Sequence, residues 1–203
     1  MKNTLRKSRA GWLGALATVL ASGLVLSCSG DAPEILEPEG SAPAAATQAA
    51  AADGTVTVGP MHFELPEGWV AETPANSMRA AQFRIPGGDG TSLVIFFFGV
   101  GGGGGVEANM DRWVGQVTQP DGGDSKAVAK RTDEERGAIR LHHLDVTGNY
   151  GGMGGETHTN WRLLGTVVEC DGGPYFFKLT GPAESVEAAK ADFERLLASI
   201  TIS

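Results

Sequence analysis

Residues 161–180, WRLLGTVVECDGGPYFFKLT, contain the clearest β-hairpin signal of the chain. Two apolar runs, Trp161–Cys170 and Pro174–Thr180, flank the turn sequence Asp171-Gly172-Gly173, which is typical of a tight hairpin connection. The next segment, Ser185–Ser199, repeats its apolar residues at helical spacing along one stripe. This order predicts two paired strands covered by a helix that buries one face. The stripe consists of Val186, Ala189, Phe193, Leu196, Leu197 and Ile200.

Two further hairpins, one more strand and one more helix are predicted upstream. The helix is Val106–Val117, with Val106, Met110, Trp113, Val114 and Val117 on one face. The first hairpin joins Arg79–Ile85 to Thr91–Phe98, the second joins Ser125–Asp133 to Ala138–Thr147 through a charged turn that ends at Gly137, and the strand is Met61–Leu65. The predicted fold class is therefore α+β, an antiparallel sheet of six or seven strands with two packed amphipathic helices.

One segment near the start of this domain carries a family resemblance. Phe63-Glu64-Leu65-Pro66-Glu67-Gly68-Trp69 opens a meander, and a helix, a second meander and a C-terminal helix follow. This order resembles the PsbP-like fold, an α/β/α sandwich named for an extrinsic subunit of photosystem II and shared with a yeast Ran-binding import factor. The resemblance implies a small accessory or binding protein, and it carries over no catalytic residue.

Met61 to Gly122 also resembles uncharacterised lipoproteins of environmental bacteria, through Asn109-Met110-Asp111-Arg112-Trp113 and Gln119-Pro120-Asp121-Gly122.

The N-terminus predicts a lipoprotein signal peptide over residues 1–27. Lys2, Arg6, Lys7 and Arg9 precede the charge-free apolar run 11–26, which is shorter than the ~20 residues of a membrane-spanning helix. Val25-Leu26-Ser27-Cys28 then resembles the bacterial lipobox, which implies that Cys28 receives the lipid. Acyl chains such as palmitate at Cys28 give a stable anchor, because more than one hydrophobic chain is attached. In this family serine at position 29 implies transport to the outer membrane.

Between Cys28 and the domain, residues 28–54 are rich in Ala, Pro and Glu, and they predict a disordered tether. Residues 55–203 then form a single globular domain. Cleavage after residue 27 removes four cations and no acid, which changes the net charge from −8 to −12. This charge argues against nucleic acid as a partner.

A glycine-rich loop is the strongest apparent motif for chemistry. Gly99-Val100-Gly101-Gly102-Gly103-Gly104 fits a GxGxxG template after an apolar run, but no βαβ unit or acidic partner follows. We therefore expect a mobile connection, in which replacing Gly102–Gly104 by Ser-Asn-Ser changes stability by less than ~1 kcal/mol.

Histidines offer the only alternative chemistry. His142 and His143 are adjacent on a predicted strand and point to opposite faces, so a metal or enzyme site requires one of them to meet His158 and nearby acids such as Glu156 or Asp145. No nucleophile motif is present.

Cys170 has no intramolecular partner once Cys28 is lipidated. We interpret it as a buried strand residue, with a reactive thiol as the alternative. Trp69, Trp113 and Trp161 are expected at or near the core.

These patterns predict a membrane-tethered, non-enzymatic binding or accessory module of the cell envelope, in the periplasm or at the cell surface. They imply the membrane as one partner through the lipid, an envelope protein as another, and no cofactor. The alternative is an envelope enzyme or metal-dependent site that uses His142 or His143, His158 and nearby acids. The two differ in whether titratable side chains converge in one pocket.

Overall fold

The structure is a computed structural model that describes residues 49–50, 54–87, 90–152 and 155–203. These residues form twelve strands and three helices. The strands are β1 Ala49–Ala50, β2 Thr55–Val58, β3 Met61–Glu64, β4 Val70–Ala71, β5 Arg79–Arg84, β6 Ser92–Phe97, β7 Val117–Thr118, β8 Lys130–Arg136, β9 Ile139–Gly151, β10 Thr157–Glu169, β11 Tyr175–Pro182 and β12 Thr201–Ile202. The helices are α1 Val106–Val114, α2 Ser125–Val128 and α3 Ala183–Ala198.

Eight strands make the main sheet, in the order β4-β5-β6-β11-β10-β9-β7, with β8 also paired to β9. Every pairing is antiparallel, as hairpin connections require. The long strand β9 has two partners on its outer side, because β8 pairs with Ile139–Asp145 and β7 pairs with Asn149 and Tyr150.

The two faces of the main sheet are covered by different elements. Helix α1 packs on one face, here called the α1 face, where Leu163, Val167 and Phe176 join its buried side chains. The opposite α3 face carries α3 and the small sheet β1-β2-β3-β12. Tyr175 ties the small sheet to the main one, since its hydroxyl donates to Val58 O at 3.0 Å.

The predicted α+β class is confirmed, and so are the first and third hairpins. All six residues of the α3 stripe are buried, from Val186 to Ile200. Pro182 caps the start of α3, where its fixed φ suits a helix N-terminus. The sheet has eight strands because the two-residue strands β4 and β7 extend it beyond the six or seven that the sequence pattern indicates.

Helix α1 is shorter than predicted. It ends at Val114, and Gly115 forms its C-cap, because glycine is a poor helix former. Val117 is buried as predicted, but it is buried as the first residue of β7.

The predicted strand Ser125–Asp133 is wrong in its first half. Asp124 accepts a hydrogen bond from the Lys126 amide at 2.8 Å and so caps the one-turn helix α2. Strand β8 follows and runs to Arg136, which pairs with Ile139 across a two-residue turn, so the predicted charged turn is part of the strand.

Strand β2 begins at Thr55, the predicted start of the domain, and Ala49–Ala50 of the predicted tether pair with Val56 and Thr57. The predicted signal peptide and Cys28 lie outside the described residues. Among the three helices of the described ranges, none has the length and apolar character needed to cross a bilayer.

Candidate functional site

A cleft of about 750 Å³ opens on the α3 face, between α3 and strands β8, β9 and β10. Its size lies within the ~300–1,000 Å³ range of small-molecule pockets. Side chains of Leu164, Phe193 and Leu197 give it an apolar floor. The polar and charged lining residues are Lys130, Thr132, Asp133, Glu134, Arg136, His143, Asp145, Thr166, Lys190 and Glu194.

The strand register places one polar row across this floor. Thr132 pairs with His143, and His143 pairs with Thr166, so the three side chains project to the same face. Thr166 is almost fully buried, and its hydroxyl lies 3.0 Å from His143 Nδ1. His143 Nε2 is 3.8 Å from Glu134 Oε2, which is longer than a hydrogen bond. This second ring nitrogen is therefore available to a ligand.

Burial controls the protonation of His143. Desolvation lowers the pKa of His143 below 6.5, although the negative charge of Glu134 opposes the shift. The lowered pKa favours the neutral imidazole, which can present either a donor or an acceptor to the cleft.

Two arginine side chains, Arg162 and Arg136, connect the strands that line the cleft to helix α3. Arg162 donates to both carboxylate oxygens of Asp145, at 2.8 and 2.7 Å, and also to Glu187 at the start of α3. These hydrogen bonds raise the pKa of Arg162 above its usual value. At the other end, Arg136 donates to the Leu197 and Ala198 carbonyls at 2.9 Å, which satisfies the C-terminus of α3.

A second cavity of about 730 Å³ lies next to the cleft and shares Lys130 and Asp145 with it. Its other lining residues are Gln119, Pro120, Val128, Thr147, Gly148, Asn149, Thr159, Asn160 and Arg162. Asp145 of the Asp145–Arg162 ion pair lines both cavities, so the two are neighbours along β9.

His142 has a different environment on the α1 face. Its Nδ1 lies 2.8 Å from Asp133 Oδ1, and its Nε2 lies 2.9 Å from Glu169 Oε2. Burial alone lowers the pKa of His142, but hydrogen bonds to Glu169 and Asp133 outweigh it and raise the pKa above 6.5. Each ring nitrogen is hydrogen-bonded to a carboxylate, so neither is free to bind a metal ion.

The alternative metal or enzyme site required His142 or His143 to meet His158, and the structure does not bring them together. His158 pairs with Tyr150, eight residues along β9 from His142, which is about 26 Å at ~3.3 Å per residue. There it stacks on Trp161, with ring centroids 4.0 Å apart, and its Nε2 lies 3.9 Å from Glu156 Oε2. Among the described residues, no group of three His, Cys, Asp or Glu side chains is arranged to hold a metal ion.

In the glycine loop, where the sequence predicts a mobile connection, Gly102 and Gly103 are closely packed, whereas Gly99, Gly101 and Gly105 have open space around them. A Cβ on Gly102 would lie 2.5 Å from Phe98 O, and one on Gly103 would lie 2.4 Å from Phe176 Cε2. Gly103 also has a φ of +77°, which other residues rarely adopt. Asn109, which is buried, donates to Gly103 O and Gly105 O, both at 2.9 Å. The loop is thus a fixed connection to α1.

The other residues that the sequence singled out, three tryptophans and Cys170, lie in the core, at its edge or in a turn. Trp69 and Trp113 are buried, and Trp161 is half-buried at the edge of the core, as expected. Cys170 is half-buried in the turn after β10, not in the strand, and its thiol donates to Gly173 O at 3.2 Å. Burial raises the pKa of Cys170, which disfavours the reactive thiolate.

Sequence reasoning missed Thr166 and Arg162 of β10 as site residues. A threonine within the run LLGTVV was the one available signal for a polar group at the floor of a cleft.

No protein-family model matches the sequence, and no curated protein matches it at a significant level of similarity. Among solved structures, the fold is similar to the solution structure of cyanobacterial PsbP (CyanoP) from Synechocystis sp. PCC 6803. The sequence identity is 14% and the TM-score is 0.48, over 71% of this chain and 87% of that chain. At this identity the likeness concerns the fold alone.

Proposed function

We propose that this chain is a lipid-anchored, non-enzymatic binding module of the cell envelope. Cys28 carries the lipid, residues 29–54 link it to the domain at the outer membrane, and the cleft between α3 and β8–β10 holds the ligand. Support for the anchor comes from the apolar run that ends at the lipobox-like Val25-Leu26-Ser27-Cys28.

The observation that carries the binding proposal is the position of His143 in the cleft. Its Nε2 lies 3.8 Å from Glu134 Oε2, beyond hydrogen-bond distance, and the same cleft is lined by Leu164 and Phe193. An imidazole beside apolar side chains in one cleft suits a small organic molecule that has an apolar body and one hydrogen-bonding group. The charged rim, already paired within the protein, adds orientation more than affinity.

A non-enzymatic role is proposed because the titratable groups around His143 are not arranged for catalysis. Thr166, its nearest hydroxyl, is 1% exposed and so is not accessible as a nucleophile. Asp145 is held by Arg162. A general base is oriented by a partner at hydrogen-bond distance, and Glu134, the carboxylate that faces His143 Nε2, lies farther away than that, at 3.8 Å.

Filling the cleft tests the proposal. Ala198 is exposed on α3 and lines the cleft, whereas Ala191 is exposed on the same helix and lies outside its lining. The full-length protein is purified from its own membranes in a mild detergent as wild type, Ala198→Trp and Ala191→Trp. Native mass spectrometry then measures any bound small molecule, and imidazole NMR follows His143.

We expect a bound molecule in the wild type and in Ala191→Trp, and its loss in Ala198→Trp. Removing the molecule by dialysis should shift the His143 ring resonances and leave those of His142 unchanged. Equal retention by Ala198→Trp and Ala191→Trp would place binding elsewhere and contradict the proposed cleft function.

A further inference from the structure

Lys178 is a cation in the middle of the main sheet, on the face opposite the cleft. It lies on β11 between Val94 of β6 and Gly165 of β10, and its alternate neighbour Phe176 belongs to the α1-face core. A lysine at such a position costs free energy unless its charge is compensated.

The contacts of Lys178 supply acceptors but no negative charge. Its ammonium donates to the Tyr150 hydroxyl oxygen at 2.9 Å and to Gln116 Oε1, and it lies 5.1 Å from the centre of the Tyr150 ring. Within the described residues, Lys178 forms no ion pair with a carboxylate. Burial, and secondarily the charge of Arg79, lower the pKa of Lys178 to about 8.

Arg79, the second cation, is also incompletely satisfied. Its Nη1 donates to Gln82 Oε1 at 2.6 Å, but its Nε is buried and has no acceptor among the described residues. Arg79 pairs with Phe96 of β6, and Lys178 pairs with Val94, two residues along the same strand, so both side chains project to the α1 face. Arg84, farther along the same strand, is by contrast paired with Glu72 at 3.3 Å.

The donor count of this cluster is unbalanced. An ammonium group only donates, so the Tyr150 and Gln116 oxygens must accept from Lys178. The Tyr150 O–H and the Gln116 amide N–H therefore cannot be used on Lys178, and together with the Arg79 Nε–H they are donors that a ligand with acceptor oxygens can engage. Although the chain has 24 acidic and 16 basic residues, the half-buried Arg79 and Lys178 form no ion pair with an acid among the described residues.

We propose that Arg79 and Lys178 form an oxyanion-binding site on the α1 face, for a carboxylate or a phosphate group, with Tyr150 and Gln116 as additional donors. An oxyanion supplies the missing negative charge and the missing acceptors together. The site is separate from the cleft, which lies on the α3 face, so it does not depend on the function proposed above.

The test measures the reactivity of the Lys178 amine in the full-length protein in nonionic detergent. Only the neutral amine reacts with acetic anhydride, and peptide mass spectrometry reports acetylation at position 178. Sodium phosphate and sodium acetate are the probes, and sodium chloride at equal ionic strength is the control. The variants are Arg79→Gln, the matched Arg84→Gln, and Lys178→Met as the labelling blank, each checked for folding by circular dichroism.

A bound oxyanion raises the pKa of the amine, so we expect labelling near pH 8 to slow by about threefold or more in phosphate or in acetate, and not in chloride. Protection by phosphate alone indicates a phosphate-bearing ligand, and protection by acetate alone a carboxylate. Arg79→Gln should weaken the protection about tenfold, whereas Arg84→Gln should retain it. Equal labelling in all three salts, or equal loss of protection in both arginine variants, would overturn the site.

Discussion

His142 and His143 are consecutive residues of β9, yet their side chains lie on opposite faces of the main sheet and their pKa values shift in opposite directions. His142 lies between the Asp133 and Glu169 carboxylates on the α1 face, and His143 lies against Thr166 in the cleft. The alternation of strand side chains produces this separation. Ion pairing therefore governs one ring and burial governs the other.

The first prediction is the order in which the two rings titrate. His142 should show an NMR titration midpoint above 6.5 and His143 one below 6.5, following the directions of their pKa shifts. The measurement is the pH dependence of the imidazole carbon-bound proton shifts, assigned with His142→Gln and His143→Gln. A lower midpoint for His142 than for His143 would contradict the assigned environments.

The second prediction concerns stability and follows from linkage. The pKa of His142 is higher in the folded state than its unfolded value of 6.5. The contribution of His142 to the free energy of unfolding is therefore fully present below pH 6.5, and it is lost as the pH rises through the folded-state pKa. His142→Gln should therefore destabilise the protein by about 0.5–1 kcal/mol more near pH 5.5 than near pH 8.5, since both carboxylates are well exposed.

Urea unfolding at the two pH values gives this difference. In an Asp133→Asn/Glu169→Gln background the extra destabilisation at low pH should vanish, because the partners of the charged ring are gone. A His142→Gln effect that is the same at both pH values would show that the pKa of His142 is not raised by folding.

Local signals explain why part of the fold could be predicted from sequence. The turn chemistry of Asp171-Gly172-Gly173 and the helical stripe of α3 act within a few residues, so periodicity reveals them. Strand β7 depends instead on pairing with Asn149 and Tyr150, more than thirty residues away, and two residues carry no period. The helix α2 did have a local signal, the capping Asp124, which the strand interpretation overlooked.

The candidate site was less predictable, because its side chains come together through the pairing register of β8, β9 and β10 and not through a local sequence motif. His143 meets Thr166 only once β9 and β10 pair in the observed alignment, and a one-residue slip of β9 would turn His143 away from the cleft. Alternation within β9 did predict that His142 and His143 diverge. Lys178, a charged residue within the run YFFKLT, was a visible departure from the apolar pattern of a central strand.

The third prediction tests the anchor. Cys28→Ala should abolish incorporation of labelled palmitate and move the protein from the membrane fraction to a fraction extractable without detergent, because the acyl chains supply the membrane affinity. Cys170→Ala is the matched control and should keep both lipid and location. Lipid labelling that survives in Cys28→Ala, or that depends on Cys170, would contradict the lipobox interpretation.

The fourth prediction concerns the stability of variants in the glycine loop, which the sequence predicts to be mobile and in which the structure shows Gly103 packed. Gly101 and Gly103 have nearly the same φ, +75° and +77°, but a Cβ on Gly101 meets nothing within 4 Å, whereas one on Gly103 lies 2.4 Å from Phe176 Cε2. Gly101→Ala should cost about 1–2 kcal/mol of unfolding free energy, from the left-handed backbone alone. Gly103→Ala adds about 1–3 kcal/mol of overpacking against the α1-face core.

The difference between the two variants isolates the packing, because their backbone conformations match. Urea unfolding should therefore show Gly103→Ala unfolding at a lower midpoint than Gly101→Ala, with an unchanged slope. The triple replacement of Gly102–Gly104 by Ser-Asn-Ser should destabilise at least as much as Gly103→Ala, rather than by under ~1 kcal/mol as a mobile loop would. Equal midpoints for Gly101→Ala and Gly103→Ala would mean that Phe176 yields to the added methyl and that the loop tolerates side chains after all.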